Sequence, residues 1–190
     1  MIYPIVAYGH PNLRKKAVDI DATYPDFKKF MEDLWETMYK TDGVGLAAPQ
    51  VNKQIRIFVI DASHYSKDHP ELEGFKKAFI NARIVEREEE LVTMEEGCLS
   101  VPGIHEDVDR PDKIHITWYD EDFIFHDEWF DGIVARIIQH EYDHLEGILF
   151  VDKIHPLRKL MVKRKLTDLT KGISEAKYKM IFAPKTKKGK

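Results

Sequence analysis

From Pro25 to about Thr41, apolar residues recur at spacings of three and four, at Phe27, Phe30, Met31, Leu34, Trp35 and Met38. That spacing predicts an amphipathic helix, and Gly43 is the signal that stops it. Segments rich in β-branched and aromatic residues follow at 55–61, 78–86, 114–119 and 123–129 and predict strands. A second helix begins after Asp131, a candidate N-cap, and runs through Ile133, Val134, Ile137, Ile138, Glu141 and Leu145 until Gly147 ends it. It is almost wholly apolar before Gln139, so it belongs in the interior of the domain. A third helix is predicted from Leu157 to about Leu169. One helix, several strands and then a buried helix, without regular βαβ alternation, argue for an α+β fold.

The length of 190 residues, with 43% hydrophobic and 33% charged residues, suits one domain with one buried core. A single cysteine excludes a disulfide framework and leaves that thiol free, metal-bound or catalytic. No apolar run approaches the roughly 20 residues of a membrane span, and the first residues lack the basic-then-apolar order of a signal peptide, so the cytoplasm is the expected compartment.

The buried helix carries His140-Glu141-Tyr142-Asp143-His144, an H-E-x-x-H motif. At 3.6 residues per turn the two imidazoles fall on one face and can share a metal ion, with Glu141 placed beside a bound water as its base. Burying two histidines and a glutamate without partners costs several kcal/mol, which is hard to reconcile with an accidental motif. A catalytic metal usually takes three protein ligands. The zinc-peptidase pattern H-E-x-x-H-x-x-G-x-x-H is matched as far as Gly147, but its last position is Phe150. Spacing leaves a distant Glu or Asp open as the third ligand. The other candidate is Cys98, in the short segment Glu96-Gly97-Cys98-Leu99-Ser100 ahead of the Pro102-Gly103 turn. A third segment, Gly43-Val44-Gly45-Leu46-Ala47-Ala48-Pro49-Gln50, combines glycines that allow close backbone approach with an amide, Gln50, able to face a developing oxyanion. Val44 and Ile137 are candidates for an apolar substrate pocket, and the alkyl stem of Arg136 can line its rim.

Together the G-x-G-x-A-A-x-Q loop, the E-G-C-x-S turn and the Q-H-E-x-D-H helix resemble the peptide deformylase family, over roughly residues 1–152. The resemblance implies antiparallel β-sheets around a central metal-binding helix that carries H-E-x-x-H. It implies a metallohydrolase that removes the N-formyl group from the formyl-methionine of nascent polypeptides and releases formate. Cys98, His140 and His144 then match the metal ligands, and Glu141 the general acid and base. Gln50 and the Leu99 N–H match the oxyanion donors, and Gly45 the residue that pairs with substrate backbone. Ferrous iron is the implied native ion, with zinc or nickel able to take its place. His105 departs from the family, many members of which have a substrate-facing Arg there. The rival readings are a metallopeptidase and a noncatalytic protein with a structural metal.

Charge divides the chain. Residues 153–190 hold 13 Lys and Arg against Asp168 and Glu175, a balance of +11, while residues 1–152 carry −15. The expected organisation is a catalytic domain over 1–152 and a basic C-terminal extension over 153–190, part helical and part disordered. Such an extension suits contact with a polyanion such as the ribosome, where formylated chains first emerge. An acidic body without an aromatic-basic motif excludes a sequence-specific nucleic-acid binder. Removal of residues 171–190 is expected to leave the chemistry intact.

Overall fold

Strand β3 (Ile57–Asp61) is apolar at four successive positions, and the computed structural model, which describes residues 1–184, shows why. Ile57 and Val59 face helix α1 (Phe27–Lys40), where they pack with Leu34 and Met38. Phe58 and Ile60 point the other way, into a cluster with Ala135 and Ile138 of helix α2 (Gly132–Leu145). The sheet is therefore covered on both faces, which removes the period-two alternation of a half-buried strand. It has five strands in the order β2 (Gly45–Ala47), β3, β4 (Lys76–Arg87), β7 (Lys113–Tyr119) and β8 (Phe125–Asp131), every neighbour antiparallel. Phe79, Trp118 and Phe130 add an aromatic layer under α2. The architecture is α+β, as the order of elements predicts.

A separate antiparallel hairpin joins β5 (Leu91–Gly97) to β6 (His105–Pro111). The hydrophobic pattern misses both strands because charged residues interrupt their inward positions, Glu96 after Val92 and Met94 in β5, and Glu106 and Arg110 on either side of Val108 in β6. In β6 the buried residues are Glu106, Val108 and Arg110, alternating with exposed His105, Asp107 and Asp109. Strand β2 is likewise hidden in the glycine-rich segment that suggests a loop. Asp131 does stand at the N-cap of α2, but its side chain caps nothing, because it is the last residue of β8 and pairs in register with Lys113. At the other end, Gly147 has a positive φ of 74°. A Cβ there would fall 2.6 Å from the Arg14 carbonyl oxygen, so both conformation and space require glycine.

Helix α3 (Pro156–Thr170) packs Val162, Leu166 and Leu169 onto the hairpin residues Val108 and Ile104 and onto Leu149, Phe150 and Val151. Beyond it, strand β9 (Met180–Ile181) pairs in parallel with β1 (Ile5–Val6), at the opposite end of the sequence. Within 171–184, β9 and Tyr178 thus contact the body, through β1 and through Leu99 O, so removal of 171–190 would take away a paired strand along with basic charge. The expected disorder of the extreme C-terminus, 185–190, lies outside the described residues.

Candidate metal centre

Helix α2 is held in place by Val134, Ala135, Ile138 and Leu145, and its last two turns bring His140 and Glu141 to the floor of a cleft of about 400 Å³, with His144 buried one turn further on. Cys98 follows directly after β5, at the cleft wall. One ligand atom from each of Cys98, His140 and His144 lies within 4.8 Å of the others, and Cys98 Sγ is 3.4 Å from His144 Nε2. The helical i, i+4 spacing sets the two rings edge to face with centroids 5.2 Å apart. These are a thiolate and two imidazoles, a donor set suited to zinc or iron, and no fourth such side chain joins the group among the described residues. Phe150, where the peptidase pattern has its third histidine, is buried and stacks against the His140 ring, 5.9 Å between centroids. It packs the ligand and offers no donor.

The partners behind the ligands fit the same purpose. His140 Nδ1 is 2.8 Å from Glu96 Oε2, which leaves its Nε2 for the centre. Glu96 also accepts from Arg110 Nε and Nη2, at 2.6 and 2.9 Å, and from Arg136 Nη1 at 2.9 Å. Arg110 Nη1 donates to Asp143 at 2.7 Å, so one buried guanidinium ties the hairpin to the helix of the motif. Burial alone would raise the Glu96 carboxyl, but the bonds from Arg110 and His140 outweigh it and hold the group well below its ordinary range. Burial likewise opposes the charge on His140, but Cys98 and Glu96 raise it well above its usual value. His144 goes the opposite way, lowered by burial and by the neighbouring charge of His140. Neutral imidazole is the form a metal binds.

Glu141 is pushed up to about 7, chiefly by burial, and its Oε2 has no partner among the described residues. A carboxyl titrating near neutrality can both take and return a proton. Gly45 makes room for it, since a Cβ there would stand 2.6 Å from Glu141 Oε1. The glycine thus serves the glutamate as well as any ligand. Gln50 has its Oε1 fixed by the Ala47 N–H at 2.9 Å, which turns its Nε2 toward Cys98 Sγ at 3.5 Å and Ser100 Oγ at 3.3 Å. Val44, Gly45, Leu99, Ile137 and His105 all line the cleft, and Arg136 does so with its guanidinium turned inward onto Glu96. Glu96, Arg110 and Tyr178 belong to this site without having been singled out by spacing. Glu96 lies two residues from Cys98 in the quoted turn, whereas Arg110 had only its alternation with Val108 to mark it.

Residues 2–160 match the family model described as polypeptide deformylase. The peptide deformylase of Flavobacterium johnsoniae is 49% identical over 197 residues, with both chains covered in full. That of Cytophaga hutchinsonii is 49% identical over 182 residues, covering 96% of this chain and 98% of its own. Among solved structures, a Plasmodium falciparum peptide deformylase is 39% identical with a TM-score of 0.80, covering 88% of this chain and 95% of that one. The Thermotoga maritima peptide deformylase is 38% identical with a TM-score of 0.73, covering 82% and 99%. With all three motifs gathered at one cleft and the match running through them, the chain belongs to the polypeptide deformylase family, metallohydrolases that remove the N-formyl group from nascent polypeptides.

Proposed function

We propose that this cleft hydrolyses the formyl amide of N-formylmethionyl polypeptides, with roles divided among the residues as follows. Cys98, His140 and His144 hold one divalent ion, ferrous iron in the native enzyme, with zinc or nickel able to replace it. When bound, the ion supplies a Lewis acid that acidifies water and polarises the formyl oxygen. Glu141 accepts the proton of the attacking water and returns it to the departing amine nitrogen, so that formate and a free amino terminus leave. Gln50 Nε2 and the Leu99 N–H donate to the oxygen as it gains charge. Gly45 lies on β2, the edge of the sheet, where its backbone can pair with an extended substrate, and Val44 and Ile137 enclose the methionine side chain.

The observation that carries this reading is the convergence of Cys98, His140 and His144 within 4.8 Å, with Glu141 opening on the same cleft. Iron-loaded protein assayed without oxygen should release formate from formyl-Met peptides and leave acetylated and unformylated controls untouched. Cleavage of internal peptide bonds would favour a metallopeptidase, and no turnover with metal bound would favour a structural site.

We further propose that the enzyme works in the bacterial cytoplasm and approaches the ribosome through its basic C-terminal part. Lys163 and Arg164 are exposed on α3 beside exposed Leu160 and Met161, and no helix among the described residues is long and apolar enough to cross a membrane. Because β9 lies inside 171–184, the test is charge reversal, Lys163→Glu with Arg164→Glu, and not truncation. Cosedimentation with ribosomes across a salt series should weaken in the variant, and equal binding would reject the contact.

A further inference from the structure

The turn that carries Cys98 and Leu99 has three successive carbonyls, each held by a different part of the chain. The Val101 N–H donates to Cys98 O at 2.9 Å from within the turn, and the Tyr8 N–H donates to Ser100 O at 2.8 Å from the segment after β1. The middle one, Leu99 O, accepts from the Tyr178 hydroxyl at 2.8 Å. Tyr178 lies 18 residues beyond the last position of the family-model match and only two before β9. It is placed by β9: Ile5 N–H donates to Lys179 O and Ala7 N–H to Ile181 O, both near 2.9 Å, so β1 is gripped between the C-terminal strand and the turn. Its ring packs with the cluster around α1 and also lines the cleft.

We infer that Tyr178 is a positioning residue for the deformylation reaction: its hydroxyl fixes the Leu99 carbonyl, and with it the orientation of the turn that presents the Cys98 thiolate and the Leu99 N–H. The inference rests on the reading in which Leu99 N–H stabilises the oxyanion. The chemistry supports it. A carbonyl oxygen accepts only, so the phenol must donate, and burial together with the charge of Cys98 pushes its pKa up to about 12, which keeps the proton on. The Leu99 N–H lies in the peptide plane whose carbonyl, Cys98 O, is held by Val101, and the Tyr178 hydroxyl holds the next plane through Leu99 O, so the two bonds together set the φ and ψ of Leu99 that lie between them. A donor held before charge develops costs no reorganisation during reaction, and one free to swing loses that advantage. The C-terminal segment therefore contributes to the active site, and it does so from the far end of the sequence.

The test is Tyr178→Phe in the full-length, metal-loaded enzyme, with Lys177→Ala, an exposed neighbour, as control. Phenylalanine keeps the ring and its packing and removes only the hydroxyl. In zinc-loaded protein the ¹³C resonance of the Leu99 carbonyl should move in the variant and stay in the control. On formyl-Met peptides kcat should fall about 3- to 10-fold, the scale of one lost hydrogen bond, with KM unchanged. A shifted KM with wild-type kcat would mean that the hydroxyl meets the substrate, and would overturn the positioning role. Wild-type kcat and an unmoved Leu99 resonance would overturn the inference outright. Wild-type protein that released no formate would instead refute the functional reading, before any variant was compared.

Discussion

Helix α2 supplies His140, Glu141 and His144 to the metal centre on a segment held by Val134, Ala135, Ile138 and Leu145, all apolar and buried. The β5–β6 hairpin brings Cys98 on a segment whose buried inward positions include Glu96, Glu106 and Arg110. The helix is seated mainly by apolar burial, whereas the hairpin, besides packing Val108 and Ile104 under α3, is tied to the helix by buried ion pairs. Apolar burial is non-directional and sets how deep an element lies; it does not fix register to a fraction of an ångström. Charge-assisted hydrogen bonds are directional and do fix it. The helix can rely on its own backbone to space two histidines, whereas the hairpin must be aligned to the helix from outside. Arg110, bonded to Glu96 on one side and Asp143 on the other, provides that alignment.

The largest expected effect lies on the helix side. Glu141→Gln keeps shape and removes the group that moves the proton, so kcat should fall by about 10² to 10⁴-fold with metal still bound. Turnover near wild type, with metal content measured alongside, would remove Glu141 from the mechanism.

The hairpin side should break differently. Arg110→Met leaves Glu96 and Asp143 buried without their shared cation, a loss of about 3–5 kcal/mol that thermal melting would register. Glu96→Gln is milder, since it keeps the shape but weakens the hold on His140. It should cost about 10- to 100-fold in metal affinity, read by competition with a chelator. If Glu96→Gln bound metal as wild type does, the ion pairs would support the fold alone, and the contrast between the two halves would lose its functional meaning.

Acid should separate the halves as well. The Glu96 carboxyl has a folded pKa below its ordinary 4.5, so its contribution to stability is present above that value and is lost as pH falls through it toward the folded one. The Glu96 contribution to melting temperature should be full down to about pH 5 and be lost below about 4.5, so that the fall on the acid side is flatter in Glu96→Gln. Equal acid profiles in the two proteins would place the acid-sensitive group elsewhere, and Asp152, also lowered by Arg14 despite its burial, is the next candidate.

The smallest effect is expected on the solvent face of α3. Lys163→Glu with Arg164→Glu touches no part of the cleft, and stability should stay within about 0.5 kcal/mol of wild type with peptide turnover unchanged. A drop in peptide turnover would show that α3 supports the hairpin through more than its three buried residues.

Helices α1, α2 and α3 were legible in the sequence from apolar residues at helical spacing, and strands β3, β4, β7 and β8 from their runs of β-branched and aromatic residues, which in β3 form a continuous apolar run because both faces are covered. The motif residues were legible because a helix fixes His140 and His144 relative to one another with no help from the rest of the chain. Strands β5 and β6 were not legible, because an inward arginine or glutamate looks like a surface residue until its partner, distant in sequence, is beside it. The same holds for β2, where Gly45 is small because Glu141 fills its space, and for Tyr178, which meets Leu99 across 79 residues. Local periodicity and spacing are properties of the chain alone. The pairing of buried charges and the pinning of a turn exist only once the tertiary structure has brought both partners together.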